Sequence, residues 1–322
     1  MLDTSRRMVL TLAASSAFSP SAKPDHRAPV YPLSPQQMNG RPLPLATFGV
    51  QIYDDATAYS CTMRALEAGF RSLFTSPEAG NQRGFARAVR DSGVPREELY
   101  IIGSVLSDDA DTFDGAKTLT TRACAASLED LAAGGVSGLD LLLLERPAPA
   151  GCSAIQGQWR ALESQLDAGV CAGLGTCNFD VDQLDCLVSG TRGYKVRHAP
   201  LVNQIGFNLA TRMPHALLRD QHAARGVALQ AWGPLGGPSG LIPRSILDEC
   251  ASIGKPHRKS ASQVALQWLV QQRVGFVVHS KNSKHLHEDL AIFDESGMST
   301  FSLSGEEMAR LERDSEQAPA YY

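Results

Sequence analysis

The sequence predicts an α/β chain closed into a (β/α)8 barrel of the TIM type. Three observations predict it. Eight short runs are nearly continuous in apolar residues, as parallel strands buried on both faces must be. Helical patterns with apolar residues every three to four positions lie between these runs. No G-x-G-x-x-G turn follows the first run, which disfavours the doubly wound sheet as the alternative.

The strand candidates are, in order, Phe48 to Val50, Phe70 to Phe74, Leu99 to Val105 and Leu139 to Leu144. Gly173 to Thr176, Pro200 to Asn203, Val227 to Ala231 and Gly275 to Val278 follow. Between the first two, Tyr59, Met63 and Leu66 recur at helical spacing. Cys124, Leu128 and Leu131 do the same, and Gly134-Gly135 supplies a stop. Ala261, Val264, Ala265, Trp268 and Leu269 form a full apolar stripe, opened by a capping box of Ser260 and Gln263. Ser304 and Glu307 form a second box, with Leu303 and Met308 as its hydrophobic staple. Trp268 and Phe179 are placed in the core, and Trp159 on a helix face or rim.

The chain has 322 residues, 43% hydrophobic and 20% charged, enough apolar material for a large core. These values exclude a disordered chain, a disulfide miniprotein and a polytopic membrane protein. A net charge of −4 gives no sign of a nucleic-acid surface, which normally needs a basic excess on one face. The expected partner is therefore a small-molecule ligand, with no nucleic acid and no membrane, on a monomer or weak oligomer. The seven cysteines are scattered without a C-x-x-C pair, so neither zinc nor a disulfide framework is expected, and buried free thiols in a reducing compartment are favoured. The chain divides into residues 1–30 and a barrel over 31–322. In the first segment Arg6-Arg7 precede a short apolar run that cannot span a bilayer. It reads as a twin-arginine or transit-type targeting segment, or as a disordered cytosolic tail. The barrel is accordingly cytoplasmic, organellar or exported.

In such a barrel chemistry sits at the C-terminal mouth of the strands. The residues there include Gln51, Tyr53, Phe74, Ser104, Glu145, Cys177, Asn178, Gln204, Trp232 and His279 to Lys281. Proton-transfer groups are few among them. Asn178 and Gln204 can hold a planar amide, and Trp232 offers a flat face for a ring.

At these strand ends the chain resembles the aldo-keto reductases. The likeness runs through Gly69-Phe70-Arg71, Val94 to Leu99, Asp140-Leu141 with Pro147, and Gly175 with Asn178-Phe179. It continues through Val202 to Gln204, Ala231 to Gly236, Gln263 to Trp268 and Leu303 to Met308. The resemblance implies NADPH-dependent carbonyl reduction: hydride goes to the carbonyl carbon and a tyrosine protonates the oxygen. A lysine, an aspartate and a histidine tune and orient that step. Here the four positions read Phe74 for the aspartate, Ala79 for the tyrosine, Ser104 for the lysine and Glu145 for the histidine. Gly69 and Gly80-Asn81 fix the first two without a gap. Ordinary carbonyl reduction is therefore expected to be absent or feeble. A steroid-reducing branch of the family carries glutamate at the histidine position, which implies enone reduction through Glu145 as an alternative.

The resemblance also implies a cofactor site for NADP(H), weaker than is usual in the family. Cys177 replaces a serine, Asn178 and Gln204 would take the carboxamide, and Trp232 would stack on the nicotinamide, followed by Gly233 and Leu235. His279, Ser280, Lys281 and His285 would face the 2′-phosphate, with Lys284 nearby. The histidines after the eighth run have no metal-ligand spacing, so no metal is expected. Asp108-Asp109-x-Asp111 lacks the glycine and distal glutamate of a calcium loop and reads as solvated. Three functions remain open: a cofactor-binding pseudoenzyme acting as sensor or scaffold, a reductase with proton transfer rewired through Glu145, Tyr53 or His279, and a non-redox barrel enzyme.

Overall fold

The structure, a computed structural model, describes residues 41–107, 109–190, 194–211, 213–236 and 242–316. The proposed targeting segment, residues 1–30, lies outside the described residues, as does Asp108 of the acidic loop.

Eight parallel strands close in sequence order, with β1 pairing both β2 and β8. They are β1 (Ala46–Gly49), β2 (Ser72–Thr75), β3 (Tyr100–Val105), β4 (Leu141–Leu144), β5 (Leu174–Cys177), β6 (Val202–Gly206), β7 (Ala228–Trp232) and β8 (Gly275–Val278). Ten helices surround them among the described residues: α1 (Asp55–Ala68), α2 (Gln82–Asp91), α3 (Phe113–Gly134), α4 (Cys152–Asp167), α5 (Val181–Asp185), α6 (His215–Ala223), α7 (Arg244–His257), α8 (Ala261–Gln271), α9 (Ser283–Leu290) and α10 (Gly305–Glu316). The sequence-predicted barrel is the observed one.

Strand alternation explains the two cores. Tyr100, Ile102, Leu141, Leu143, Val202 and Val277 cluster with Phe74 inside the barrel. Their neighbours Ile101, Leu142, Leu144 and Phe276 join the larger core under the helices. The helix ends follow local chemistry. Asp54 caps α1 by accepting from Thr57 N, and Thr112 caps α3 by accepting from Gly115 N. Gly135, at φ 107°, ends α3 in the left-handed region that glycine alone enters freely. Both bonds of the Ser260–Gln263 box form at α8. At Gly157 a side chain would run into the Phe113 carbonyl, so glycine sets the close approach of α4 to α3.

Trp159 is fully buried rather than on a rim, and its indole N–H donates to His198 O at 2.8 Å. The expectation of free thiols throughout is also corrected. Cys152 and Cys186 form a disulfide, with Cα atoms 5.3 Å apart, while Cys61, Cys124, Cys171, Cys177 and Cys250 are free and buried. Pairing is a matter of proximity: Cys152 opens α4, and Cys186 begins the segment after α5 that packs against α4. The bond closes a loop of 34 residues, which by chain entropy stabilises the fold by about 3–4 kcal/mol. Calorimetry with and without dithiothreitol should therefore show the reduced protein melting of the order of 10 °C lower. The Cys152→Ser variant should melt at the lower temperature in both buffers. A melting curve indifferent to dithiothreitol would contradict this.

Candidate active site

A cavity of about 230 Å³ opens at the C-terminal mouth. Its wall includes Phe74, Glu145, Cys177, Asn178, Gln204, Trp232, Gly233 and His279, so most sequence-predicted site residues converge there. Gln51, Ile52, Glu78, Arg146 and Val277 complete it. A larger cavity, about 640 Å³, lies at the opposite face near His198 and Arg225. Its charged groups are already paired, His198 with Asp167 at 3.1 Å and Arg225 with Asp185 at 2.6 Å. Barrel chemistry belongs to the mouth.

Glu145 is the centre of the mouth. It immediately follows β4, which directs its side chain inward beside Leu141 and Leu143. It is 6% exposed. Ser76 Oγ lies 2.8 and 2.7 Å from its two carboxylate oxygens, and Ser104 Oγ donates to Oε2 at 2.6 Å. Burial pushes the carboxyl above its ordinary range, and the two serine hydroxyls pull it partly back. Arg146 faces the rim and pairs with Glu78. Ser76 was not foreseen. It sits just past β2, and only the fold brings it to a residue 69 positions on.

Phe74 is buried at the inner wall, and Ala79 ends a short 3₁₀ turn, Pro77–Ala79, beyond Ser76. Burial shifts both residues named as alternative acids. Burial raises the Tyr53 phenol to about 12, and Tyr53 packs edge-on against His279 with ring centroids 6.2 Å apart. Burial also lowers the His279 imidazole, which favours its neutral form. Cys177 is buried, and its thiol is pushed well above its ordinary value by burial and by the nearby Glu145 charge, which disfavours the thiolate.

The amide-recognising groups form one network. Asn178, held at φ 62°, receives the Trp232 indole N–H on Oδ1 at 2.9 Å and donates from Nδ2 to Glu145 O at 3.2 Å. Gln204 donates to Gln230 Oε1 at 2.9 Å, and the Cys177 thiol approaches Gln204 Oε1 at 3.7 Å. The chain continues inward, Gln230 to Thr47 Oγ1 at 3.2 Å and Thr47 to Ser72 at 2.8 Å. Gln230, Thr47 and Ser72 were not foreseen either. Their signal is a polar residue at an inward strand position. Beneath the indole, a Cβ at Gly206 would come 3.1 Å from Trp232 Cζ2, so glycine gives the ring its seat.

The phosphate-side residues lie apart from this network. Lys281 is exposed and stands 5.4 Å over the Tyr53 ring, and His285 is exposed on α9. Asn282 caps α9 by accepting from Lys284 N at 3.0 Å. Leu235 packs on the core beside Gly233, whose carbonyl accepts from Asn208 at 2.9 Å. Among the described residues no group of three or more His, Cys, Asp or Glu can hold a metal ion.

Residues 45–313 match the Aldo/keto reductase family profile. The chain belongs to that family. A glyoxal reductase of Bacillus subtilis is 32% identical over 277 residues, covering 85% of this chain and 90% of the relative. An aldo-keto reductase of Mycolicibacterium smegmatis is 31% identical over 271 residues, covering 84% and 86%. The crystal structure of an aldo/keto reductase from Brucella melitensis superposes with a TM-score of 0.73 at 26% identity, covering 89% of this chain and 99% of that one. This aldo-keto reductase therefore belongs to an oxidoreductase family whose members generally use NAD(P)H. No helix among its described residues is long and apolar enough to cross a membrane.

The site fits the nicotinamide end of such a cofactor. The cavity is sized for a planar ring, Trp232 supplies a flat wall seated on Gly206, and Asn178 and Gln204 supply carboxamides of their own.

Proposed function

We propose that this aldo-keto reductase binds NADP(H) but reduces ordinary aldehydes and ketones feebly or not at all, serving as a sensor or scaffold. Asn178 and Gln204 would hold the nicotinamide carboxamide against Trp232, with Gly233 and Leu235 shaping the turn. Ser280, Lys281, Lys284 and His285 would face the phosphate, helped by the α9 N-terminus. When bound, the reduced cofactor supplies hydride. What this chain withholds is the proton.

One observation carries the reading. The positions that the resemblance assigns to the family's proton relay hold the buried phenyl of Phe74, the methyl of Ala79 and the uncharged Ser104, whose hydroxyl donates to Glu145. Losing a general acid costs about 10²–10⁴ in rate. The second reading, an enone or carbonyl reductase using Glu145 as the acid, is favoured by the upward push that burial gives this carboxyl.

Titration with NADPH, followed by quenching of tryptophan fluorescence, should saturate, and Trp232→Phe should lose most of the quench. Stopped-flow mixing of the complex with a panel of aldehydes and ketones should show turnover far below about 1 s⁻¹. Turnover at or above that rate would sink the inactive reading. Enone turnover abolished by Glu145→Gln would establish the second. The Cys152–Cys186 bond supports an oxidising compartment, in keeping with export directed by Arg6-Arg7.

A further inference from the structure

We propose that the barrel mouth is a site for a small organic cation, an iminium or ammonium whose charged group lies between the Glu145 carboxylate and the Trp232 indole. This rests on reading the mouth as the ligand end of a dinucleotide site, and it adds the ligand's chemical class.

The first observation is a buried carboxylate whose direct partners are neutral. Glu145 is 94% shielded from solvent, since 6% of it is exposed, and it lines the cavity. Its hydrogen-bond partners are the neutral hydroxyls of Ser76 and Ser104. Among the described residues no ammonium, guanidinium or imidazole lies within ion-pair distance of it. Arg146 reaches Glu78 instead. Arg146, at the rim, acts on Glu145 through its charge from a distance, while His279 is driven toward its neutral form and Cys177 toward the thiol. A buried carboxylate without a cation is costly, and a ligand that brings one relieves that cost.

The second observation is independent. Trp232 is the aromatic wall of the same cavity, and indole is the best of the aromatic faces for a cation. A desolvated cation between a carboxylate and an indole gains from both. The volume, about 230 Å³, admits one or two small rings.

The test is calorimetric titration of the full chain, without dinucleotide, with N-methyl-3,4-dihydroisoquinolinium and with the neutral ketone 1-tetralone. The cation should bind at least about tenfold more tightly. Glu145→Gln, which keeps the side chain's shape, should bring the two ligands within about twofold of each other. Circular dichroism confirms that the variant is folded, and the wild-type comparison stands without it. Equal affinity for the two ligands, no binding of either, or a preference that survives Glu145→Gln overturns the inference. A parallel NADPH titration separates the two claims. Loss of dinucleotide binding sinks the reading of the site, and loss of cation preference alone sinks only the ligand class.

Discussion

Replacing Asp140 by alanine is expected to lower the stability of the barrel by about 3–5 kcal/mol, the usual cost of breaking a buried ion pair. The carboxylate immediately precedes β4 at the face opposite the mouth, and its side chain is 4% exposed. It pairs with Arg41 and with Arg96, the latter at 2.9 Å, and its Oδ2 accepts the Ile101 backbone N–H at 2.7 Å. The Asp140 N–H in turn donates to Ile101 O at 2.9 Å, so one residue joins β3 to β4 through both backbone and side chain. Alanine would leave the Ile101 N–H unpaired inside the sheet and two guanidiniums facing each other without their shared anion. Asparagine retains an acceptor for Ile101 but no charge for the arginines, so its cost should be smaller. Urea unfolding of the three proteins reads this order directly. NADPH binding should be unchanged in the folded variants, because the mouth lies at the other end of the strands. A loss below about 1 kcal/mol for alanine would show that the arginines are solvated well enough to do without it.

Much of this architecture was legible because local rules agree with the global one. All eight strands were found, and where the edges moved the reasons are specific. Phe70 was read into β2, but its N–H returns to Ala65 O as part of the α1 ending, after Gly69 turns left-handed at φ 110°. Pro200 was read into β6, but it has no N–H to give, and the strand begins at Val202. That strand runs on through Asn203 and Gln204 to Gly206, further than an apolar pattern suggests, because both amides find partners once buried. The site was legible in its membership and illegible in its wiring. Glu145 stood out as a lone carboxylate at a strand end. That Ser76 and Ser104 would both grip it depends on inward positions of two other strands meeting at one height. The disulfide failed for the same reason: Cys152 and Cys186 carry no spacing signal, and only the packing of α4 against the segment after α5 brings them together. Of the two placements open to Trp159, the helix face holds and the rim does not, because its helix buries nearly its whole first half, Gln156 and Gln158 included.

Rebuilding the proton relay should restore aldehyde reduction only when Glu145 is replaced as well. Ala79→Tyr alone should change turnover by less than about tenfold, since a phenol with no neighbouring ammonium stays near its ordinary value of about 10 and is a poor acid at neutral pH. Adding Phe74→Asp and Ser104→Lys supplies the tuning pair in principle. Position 104, however, faces Glu145: the native hydroxyl is 2.6 Å from its Oε2. An ammonium introduced there would be captured by that buried carboxylate, which lies in low dielectric with two neutral hydroxyls as its direct partners. The phenol would then remain untuned. The triple variant should accordingly gain little over Ala79→Tyr, while the quadruple variant with Glu145→His should exceed it by about 10²–10⁴, the range that a working acid–base group commands. The order of assembly also matters for folding. Phe74→Asp by itself buries an unpaired carboxylate where a phenyl is 1% exposed, so it should express poorly until Ser104→Lys accompanies it. Single-turnover oxidation of NADPH by one reactive aldehyde, measured across the series, tests this directly. A triple variant as fast as the quadruple would mean that Glu145 does not compete for the ammonium, and would remove the electrostatic argument that makes this carboxylate the organising charge of the mouth.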